Sequence, residues 1–210
     1  PLTEEQCVRL LDATRGERVY PAIVCMLGLG LRREEALALM WSDIDFDAHY
    51  AHICRTNTFY VNESTVSGKM KSDAALRDVP LAPWVEAELI RLKAESTSLY
   101  VAPSAHGGPM TPSSFQSAWG VVTCRTTTDP AELNTAKKNS PWAVRTLDFR
   151  VHPHLLRHTC ATRWIEQGFT PKEVQYMLGH SSPEITMNIY AHYDRAGQFD
   201  ATVAKMRAQG

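Results

Sequence analysis

The longest apolar run in this 210-residue chain, Ala22 to Leu31, is ten residues long and ends abruptly at Arg32-Arg33-Glu34-Glu35. A bilayer span needs roughly 20 such residues, so the run is too short to cross a membrane. A helix that is apolar on every side must instead be wrapped by the rest of the chain. The spacing predicts a buried helix over 17–29, a break at Gly28-Leu29-Gly30, and a further helix from Arg33 to Met40. Arg32 then stands at a helix entrance, against the core.

The remaining elements arrange themselves around that run. Thr3 and Gln6 form a capping box, which starts a helix that continues to about Thr14. From Tyr50 to Leu81 the pattern changes to short β-type runs, Ala51–Thr56, Thr58–Val61 and Leu76–Leu81. These predict a small antiparallel sheet with Ser67-Gly68-Lys69-Met70-Lys71 in a hairpin turn. Pro83 to Ser96 is an amphipathic helix with apolar residues at 85, 89, 90 and 92, and another helix begins at Thr111-Pro112. Residues 126–146 carry no periodicity and are expected to form a mobile surface loop or lid. Three capped helices follow, Pro153–Gln167, Pro171–Leu178 and Pro183–His192, with a last one over roughly Arg195–Ala208. The expected fold class is therefore mainly α with a small antiparallel β-sheet.

Five Cys (7, 25, 54, 124 and 160), odd in number and widely spaced, argue for buried thiols in a reducing compartment rather than a disulfide framework. The chain starts at Pro1 without Met and runs straight into Thr3-Glu4-Glu5-Gln6, so further chain is expected upstream, no signal segment is expected, and cytoplasm is the expected compartment. Net charge is -1 from 22 basic and 23 acidic residues, which is not the balance of a simple polyanion binder. The charges are unevenly placed, however. Residues 1–50 hold five basic and nine acidic side chains, whereas 137–180 hold seven basic, three acidic and four His. Such a block is either a solvated helix face or a focused cationic site.

Three constellations carry chemistry. In the first, Arg32 and Glu35 lie three apart at a helix start, where free N–H groups and the positive dipole end favour an anion. They form either a local ion pair or a phosphate fork. In the second, His152-Pro153-His154-Leu155-Leu156-Arg157-His158, residues His154, Arg157 and His158 share one helix face opposite a stripe of Leu156, Cys160, Trp164 and Ile165. The His154/His158 spacing also fits half a metal site. A zinc-protease pattern, though, requires Glu where Leu155 stands, and no further ligands have the right spacing. In the third, Leu178-Gly179-His180 is an interhelical turn presenting His180, with Tyr190 two turns into the next helix.

Taken in order, Arg32 with Glu35, a hairpin Lys, His154-x-x-Arg157, Leu178-Gly179-His180 and Tyr190 resemble the catalytic domain of tyrosine recombinases, the phage and transposon integrase family. The resemblance runs from Thr3 to about Tyr193. It implies a mostly helical domain with a small sheet at one edge, and strand cleavage and rejoining through a 3'-phosphotyrosine link without metal or nucleotide. By the same resemblance Arg32 and Arg157 clamp the phosphate, Tyr190 is the nucleophile, His154 is a base or phosphate donor and His180 a further donor. Glu35 orients Arg32, and Lys69 is the general acid with Lys71 as the alternative. Arg33 and His158 stand one step off the matched pattern, and Tyr193, the rival nucleophile three residues past Tyr190, falls after the Tyr-Ala-His end of the motif and is expected to be structural.

The expected partners are duplex DNA at recombination sites, other protomers in a synaptic tetramer, and accessory DNA-bending or directionality proteins, with no membrane. The expected setting is the bacterial cytoplasm, serving a phage or an integrative mobile element. Residues 1–193 are expected to be the catalytic domain and 194–210 a helical tail packing on a neighbouring protomer, with a DNA-binding domain upstream of this chain. The rivals are a non-catalytic DNA-binding relative and a metal-dependent hydrolase built on His152, His154 and His158.

Overall fold

From Ala22 to Leu27 no residue is more than 1% exposed, as the uniform apolarity of the segment demands. In the computed structural model, which describes residues 1–60, 63–67, 76–126 and 147–180, this segment forms helix α2 (Tyr20–Gly28), with Pro21 in its first turn. It is the hub of the core, in contact with α1 (Glu4–Thr14), α3 (Arg33–Ala36), α4 (Pro83–Glu95) and α6 (Pro153–Glu166). The α1 capping box forms as its residues dictate, with Gln6 N donating to Thr3 Oγ1 at 3.2 Å and Thr3 N to Gln6 Oε1 at 3.0 Å.

Helix α3 stops at Ala36 rather than Met40. The reason is a long-range pairing that local propensity does not encode. Leu39 O accepts from Val101 N at 2.9 Å, Trp41 N donates to Leu99 O at 3.0 Å, and Met40 bridges to Tyr100. A short 3₁₀ turn over Trp41–Asp43 then leads into the sheet.

Two antiparallel ladders replace the single expected sheet. Strands β1 (Ile44–Asp45), β2 (Tyr50–Ile53) and β5 (Arg77–Pro80) form one in the order β1-β2-β5, while β3 (Thr56–Tyr60) and β4 (Glu63–Ser67) form the other. The expected run Ala51–Thr56 breaks at Cys54-Arg55, where Arg55 turns away to an ion pair with Asp43. Ser67, expected in a turn, is the last residue of β4, opposite Thr56. In β5 burial alternates, Arg77 and Val79 inward and Asp78 and Pro80 outward, as the two-residue side-chain period requires.

Helix α5 (Pro112–Thr126) packs on α1, and α6 lays Leu156, Cys160 and Trp164 into the core. Helix α7 (Pro171–Leu178) carries the predicted Thr170–Glu173 capping box and ends at Gly179, which adopts φ +63°. It rests on α6 and β5. None of the described helices is long and apolar enough to cross a membrane. Residues 127–146, the lysines at 69 and 71, the helices expected over 183–192 and 195–208, and Tyr190 and Tyr193 lie outside the described residues.

Candidate functional site

Two glycine turns build the site by aiming backbone carbonyls at guanidinium groups. Gly30, at φ +62°, follows α2 and presents its carbonyl to Arg157 Nη1 at 2.7 Å. A Cβ at Gly30 would lie 3.0 Å from both Leu178 Cδ2 and Trp164 Cη2, so neither the conformation nor the space admits a side chain. At the end of α7, Leu178 O accepts from Arg157 Nη2 at 2.7 Å and Gly179 O from Arg32 Nη2 at 3.0 Å. The last carbonyls of a helix have no intrahelical partner; here two arginines supply one.

Arg157 is only 3% exposed, so it does not project from α6 as the helical-face argument expected. It is buried at the floor of the site, and its charge is held by the carbonyls of Gly30 and Leu178. Burial, then the charge of Arg32, pulls its guanidinium below its usual range to about 9, which leaves it a cation at neutral pH. Arg32 is half-exposed above it.

Glu35 is the counter-ion that makes this cluster possible. Its carboxylate is 4% exposed, so the local ion pair with Arg32 forms with its acid buried and its arginine half-exposed. Oε1 accepts from Arg32 Nη1 at 2.8 Å and Oε2 from Arg32 N at 2.8 Å. A second arginine, Arg77, donates Nη1 to Oε1 at 3.2 Å and Nη2 to Oε2 at 2.8 Å, and Arg157 Nη1 lies 3.9 Å from Oε2. Burial alone would raise the Glu35 carboxyl, but the hydrogen bonds and charge of Arg77, followed by the charge of Arg32, hold it down at about 2.

Sequence reasoning missed Arg77. The available signal was the strand alternation. If Val79 faces the core then so does Arg77, and an inward arginine requires a buried acid.

The opening is a cleft of about 550 Å³ lined by Leu31, Arg32, Arg33, Glu34, His152, Pro153, His154, Arg157 and His180. Arg32, His154, Arg157 and His180, singled out in three separate stretches of sequence, therefore meet on one wall. His180 is 9% exposed. Burial, then the charges of Arg157, Arg32 and Arg77, press its imidazole down to about 4, so it is neutral at pH 7 and carries one N–H donor. His154 is exposed at the cleft edge and His158 half-buried on the same helix.

His152 is spent on structure, its Nδ1 accepting from Leu155 N at 3.1 Å as the α6 N-cap. No group of three His, Cys, Asp or Glu side chains among the described residues has the arrangement of a metal site. The three-histidine hydrolase therefore has no support from the geometry.

Three arginines against one buried carboxylate leave the cleft wall with excess positive charge, fixed in direction by backbone carbonyls. Such a wall suits a tetrahedral monoanion whose single charge is shared by two oxygens.

Comparison with known proteins places this geometry. Residues 1–196 match the phage integrase family. The chain is 28% identical over 200 residues to a XerC-like tyrosine recombinase of Caldanaerobacter subterraneus subsp. tengcongensis, covering 90% of this chain and 49% of that protein. It is 30% identical to the tyrosine recombinase XerC of Chlamydia muridarum, with 91% and 53% covered. To the transposase of transposon Tn916 from Enterococcus faecalis it is 25% identical, over 98% of this chain and 50% of the transposase. The chain thus spans about half the length of the curated relatives it matches.

Among solved structures, the Tn1549 transposon integrase in complex with circular intermediate DNA superposes with a TM-score of 0.72 at 25% identity. That match covers 100% of this chain and 67% of the integrase chain. XerA recombinase superposes at 0.61 with 22% identity, covering 99% of this chain and 62% of that one. The described elements have the fold of a tyrosine recombinase catalytic domain, and this chain belongs to the phage integrase family.

Proposed function

We propose that this chain is the catalytic domain of a site-specific tyrosine recombinase, which cleaves and rejoins DNA strands through a 3'-phosphotyrosine intermediate in the service of a phage or an integrative mobile element. The observation that carries the reading is the pair Arg32 and Arg157 held in fixed orientation on one cleft wall by Glu35 and by three backbone carbonyls. A phosphodiester repels nucleophiles by its own charge, and charge accumulates on its non-bridging oxygens in the transition state. Preorganised guanidiniums stabilise that charge with no reorganisation at the moment of reaction.

In this reading the Tyr190 oxygen attacks the scissile phosphorus and the bond to the 5'-oxygen breaks. The phenolic proton passes to His154, and Lys69, or Lys71 in its place, protonates the leaving 5'-oxygen. His180 donates its single N–H to a non-bridging oxygen. Attack by an incoming 5'-hydroxyl on the phosphotyrosine reverses each transfer and rejoins the strand. The phosphodiester bond energy is kept in the phosphotyrosine link, so the scheme consumes no nucleotide, and its proton transfers run from Tyr190 to His154 and from the lysine to the leaving 5'-oxygen.

The partners in this proposal are duplex DNA at recombination sites, further protomers in a synaptic tetramer, and accessory DNA-bending or directionality proteins, all in the bacterial cytoplasm. Residues 1–193 form the catalytic unit, and 194–210 a tail that packs on a neighbouring protomer.

The test begins by recovering a preferred duplex from a random-sequence library by selection on the chain. A nick is then placed beside each candidate phosphate, and the mixture is incubated in EDTA and analysed for a covalent protein–DNA adduct. An adduct that is lost in Tyr190→Phe supports the proposal. An adduct that survives that change moves the nucleophile to Tyr193, and specific binding with no adduct at any nick position favours the non-catalytic relative.

A further inference from the structure

We infer that Arg77 is a positioning residue of the phosphate site: it never faces the cleft, and it sets the orientation of Arg32 by gripping both of that residue's supports. This inference rests on the recombinase reading for its kinetic consequence, but the geometry behind it does not depend on that reading.

Arg32 has two anchors, the Glu35 carboxylate and the Gly179 carbonyl. Left to itself, neither is rigid. A carboxylate bonded only by Arg32 can turn about its last side-chain bond, and α7 is an eight-residue helix with Val174, Met177 and Leu178 as its buried residues. Arg77 constrains both anchors. Its two terminal nitrogens form a fork onto the two oxygens of Glu35, at 3.2 and 2.8 Å, which fixes the plane of the carboxylate. Its Nε donates to Met177 O at 2.7 Å. That carbonyl lies one residue before the one held by Arg157 and two before the one held by Arg32.

The side chain of Arg77 is 0% exposed, and Arg77 is not among the residues lining the cleft. Among the described residues it reaches the site through Glu35 and the end of α7. Its place in the chain adds a further link. Arg77 is the first residue of β5, eight residues after Lys69 and six after Lys71, so the strand leaving the lysine-bearing segment is clamped to the arginine pair at its first residue.

A lysine at this position would keep the charge but lose the geometry. One ammonium cannot span both carboxylate oxygens and a carbonyl on a separate helix in the planar arrangement that a guanidinium enforces. Small misplacements of a group that stabilises a transition state are costly even where binding is unaffected, on the order of 100-fold for about 1 Å.

The experiment compares the 210-residue chain with Arg77→Lys, Arg32→Lys and the double variant. The first readout is the arginine side-chain Nε–H spectrum during titration with inorganic phosphate, which needs neither the cognate DNA nor turnover. At a temperature where both chains are fully folded, positioning predicts that Arg77→Lys displaces the Arg32 resonance and weakens the phosphate-induced shift at least about fivefold, while the α2 backbone amides stay in place. The second readout is adduct formation on the selected nicked duplex at saturating DNA. There the rate falls at least about 10-fold with duplex affinity within about twofold of the unchanged chain, and the double variant loses no more than Arg32→Lys alone.

Unchanged Arg32 resonances and phosphate response in Arg77→Lys overturn the inference, as does full additivity of the two losses. A parent chain that binds phosphate through Arg32 but forms no adduct defeats the recombinase reading instead, and leaves the phosphate titration to decide the role of Arg77.

Discussion

The Glu35 carboxylate and the Arg77 guanidinium meet at 2.8 Å with neither side chain more than 3% exposed, although they lie 42 residues apart in the chain. A buried ion pair of this kind is costly to break from one side, because the remaining charge is stranded in a low-dielectric interior. Replacing Glu35 by Gln leaves Arg77 buried without its acid and Arg32 without its orienting partner. The expected loss is about 3–5 kcal/mol of unfolding free energy, read from urea titrations at pH 7. A loss below about 1 kcal/mol would place the pair among those that contribute little, as surface pairs do.

The stability of the domain should fall on acidification in two overlapping stages. His180 titrates near 4 in the folded chain against about 6.5 when unfolded. Between those values the unfolded state binds the extra proton, so stability drops as pH falls from about 6.5 to 4, by up to roughly 3 kcal/mol. Glu35 then contributes in the same direction. Its folded value of about 2 lies below the ordinary carboxylate range, so its stabilisation is present above about pH 4.5 and is lost as pH falls toward 2. Thermal melts at fixed ionic strength should show both stages, and His180→Gln should flatten the first and spare the second. Occupancy of the cleft by inorganic phosphate should raise the His180 value, observable as an imidazole resonance that titrates at higher pH.

Gly30→Ala tests the carbonyl that Arg157 leans on. The substitution forces a side chain into a left-handed backbone and against Leu178 and Trp164 at 3.0 Å. The expected cost is about 2 kcal/mol in stability, accompanied by a loss of adduct formation larger than the fraction unfolded explains. Gly168→Ala serves as the comparison. It shares the positive φ but has open space around its Cβ, and should cost about 1 kcal/mol with no effect on the adduct.

The general acid is identified by the leaving group. Lys69→Ala and Lys71→Ala should be compared on a duplex with an ordinary 5'-oxygen at the scissile bond and on one with 5'-sulfur, which departs without needing a proton. The variant lacking the general acid should be slowed on the oxygen substrate by about 100-fold and restored on the sulfur one. The other lysine variant should respond alike to both.

Much of this molecule was legible in its sequence because capping and periodicity are local. The boxes at Thr3–Gln6 and Thr170–Glu173, the proline-started helices α4, α6 and α7, and the buried α2 all follow from residues within a few positions of one another. What the sequence did not disclose depended on distant partners. Helix α3 ends early because Leu39 and Trp41 pair with residues some sixty positions on. Strand β4, rich in Ser and Thr, has no inward apolar stripe to announce it, and is made a strand by its ladder with β3.

The site divides in the same way. Arg32, His154, Arg157 and His180 were visible as residues, yet that they share one wall follows only from α2, α3, α6 and α7 meeting there. The carbonyls of Gly30, Leu178 and Gly179 have no side-chain signature at all, apart from the two glycines that allow the backbone to turn.

Helix α7 has one more consequence for the arginines. A helix gathers roughly half a unit of negative charge at its carboxyl end, and that end is where Arg77, Arg157 and Arg32 converge on the carbonyls of Met177, Leu178 and Gly179. The macrodipole of this short helix is thus a second counter-ion, delocalised and unable to accept a proton, alongside Glu35. Without α7 in place, three guanidiniums would face one carboxylate; without the guanidiniums, the carbonyls of the last turn would lose their partners, leaving Met177 and Leu178 to hold it by packing alone. Each stabilises the other, so the docking of α7 and the burial of the arginines belong to one cooperative event.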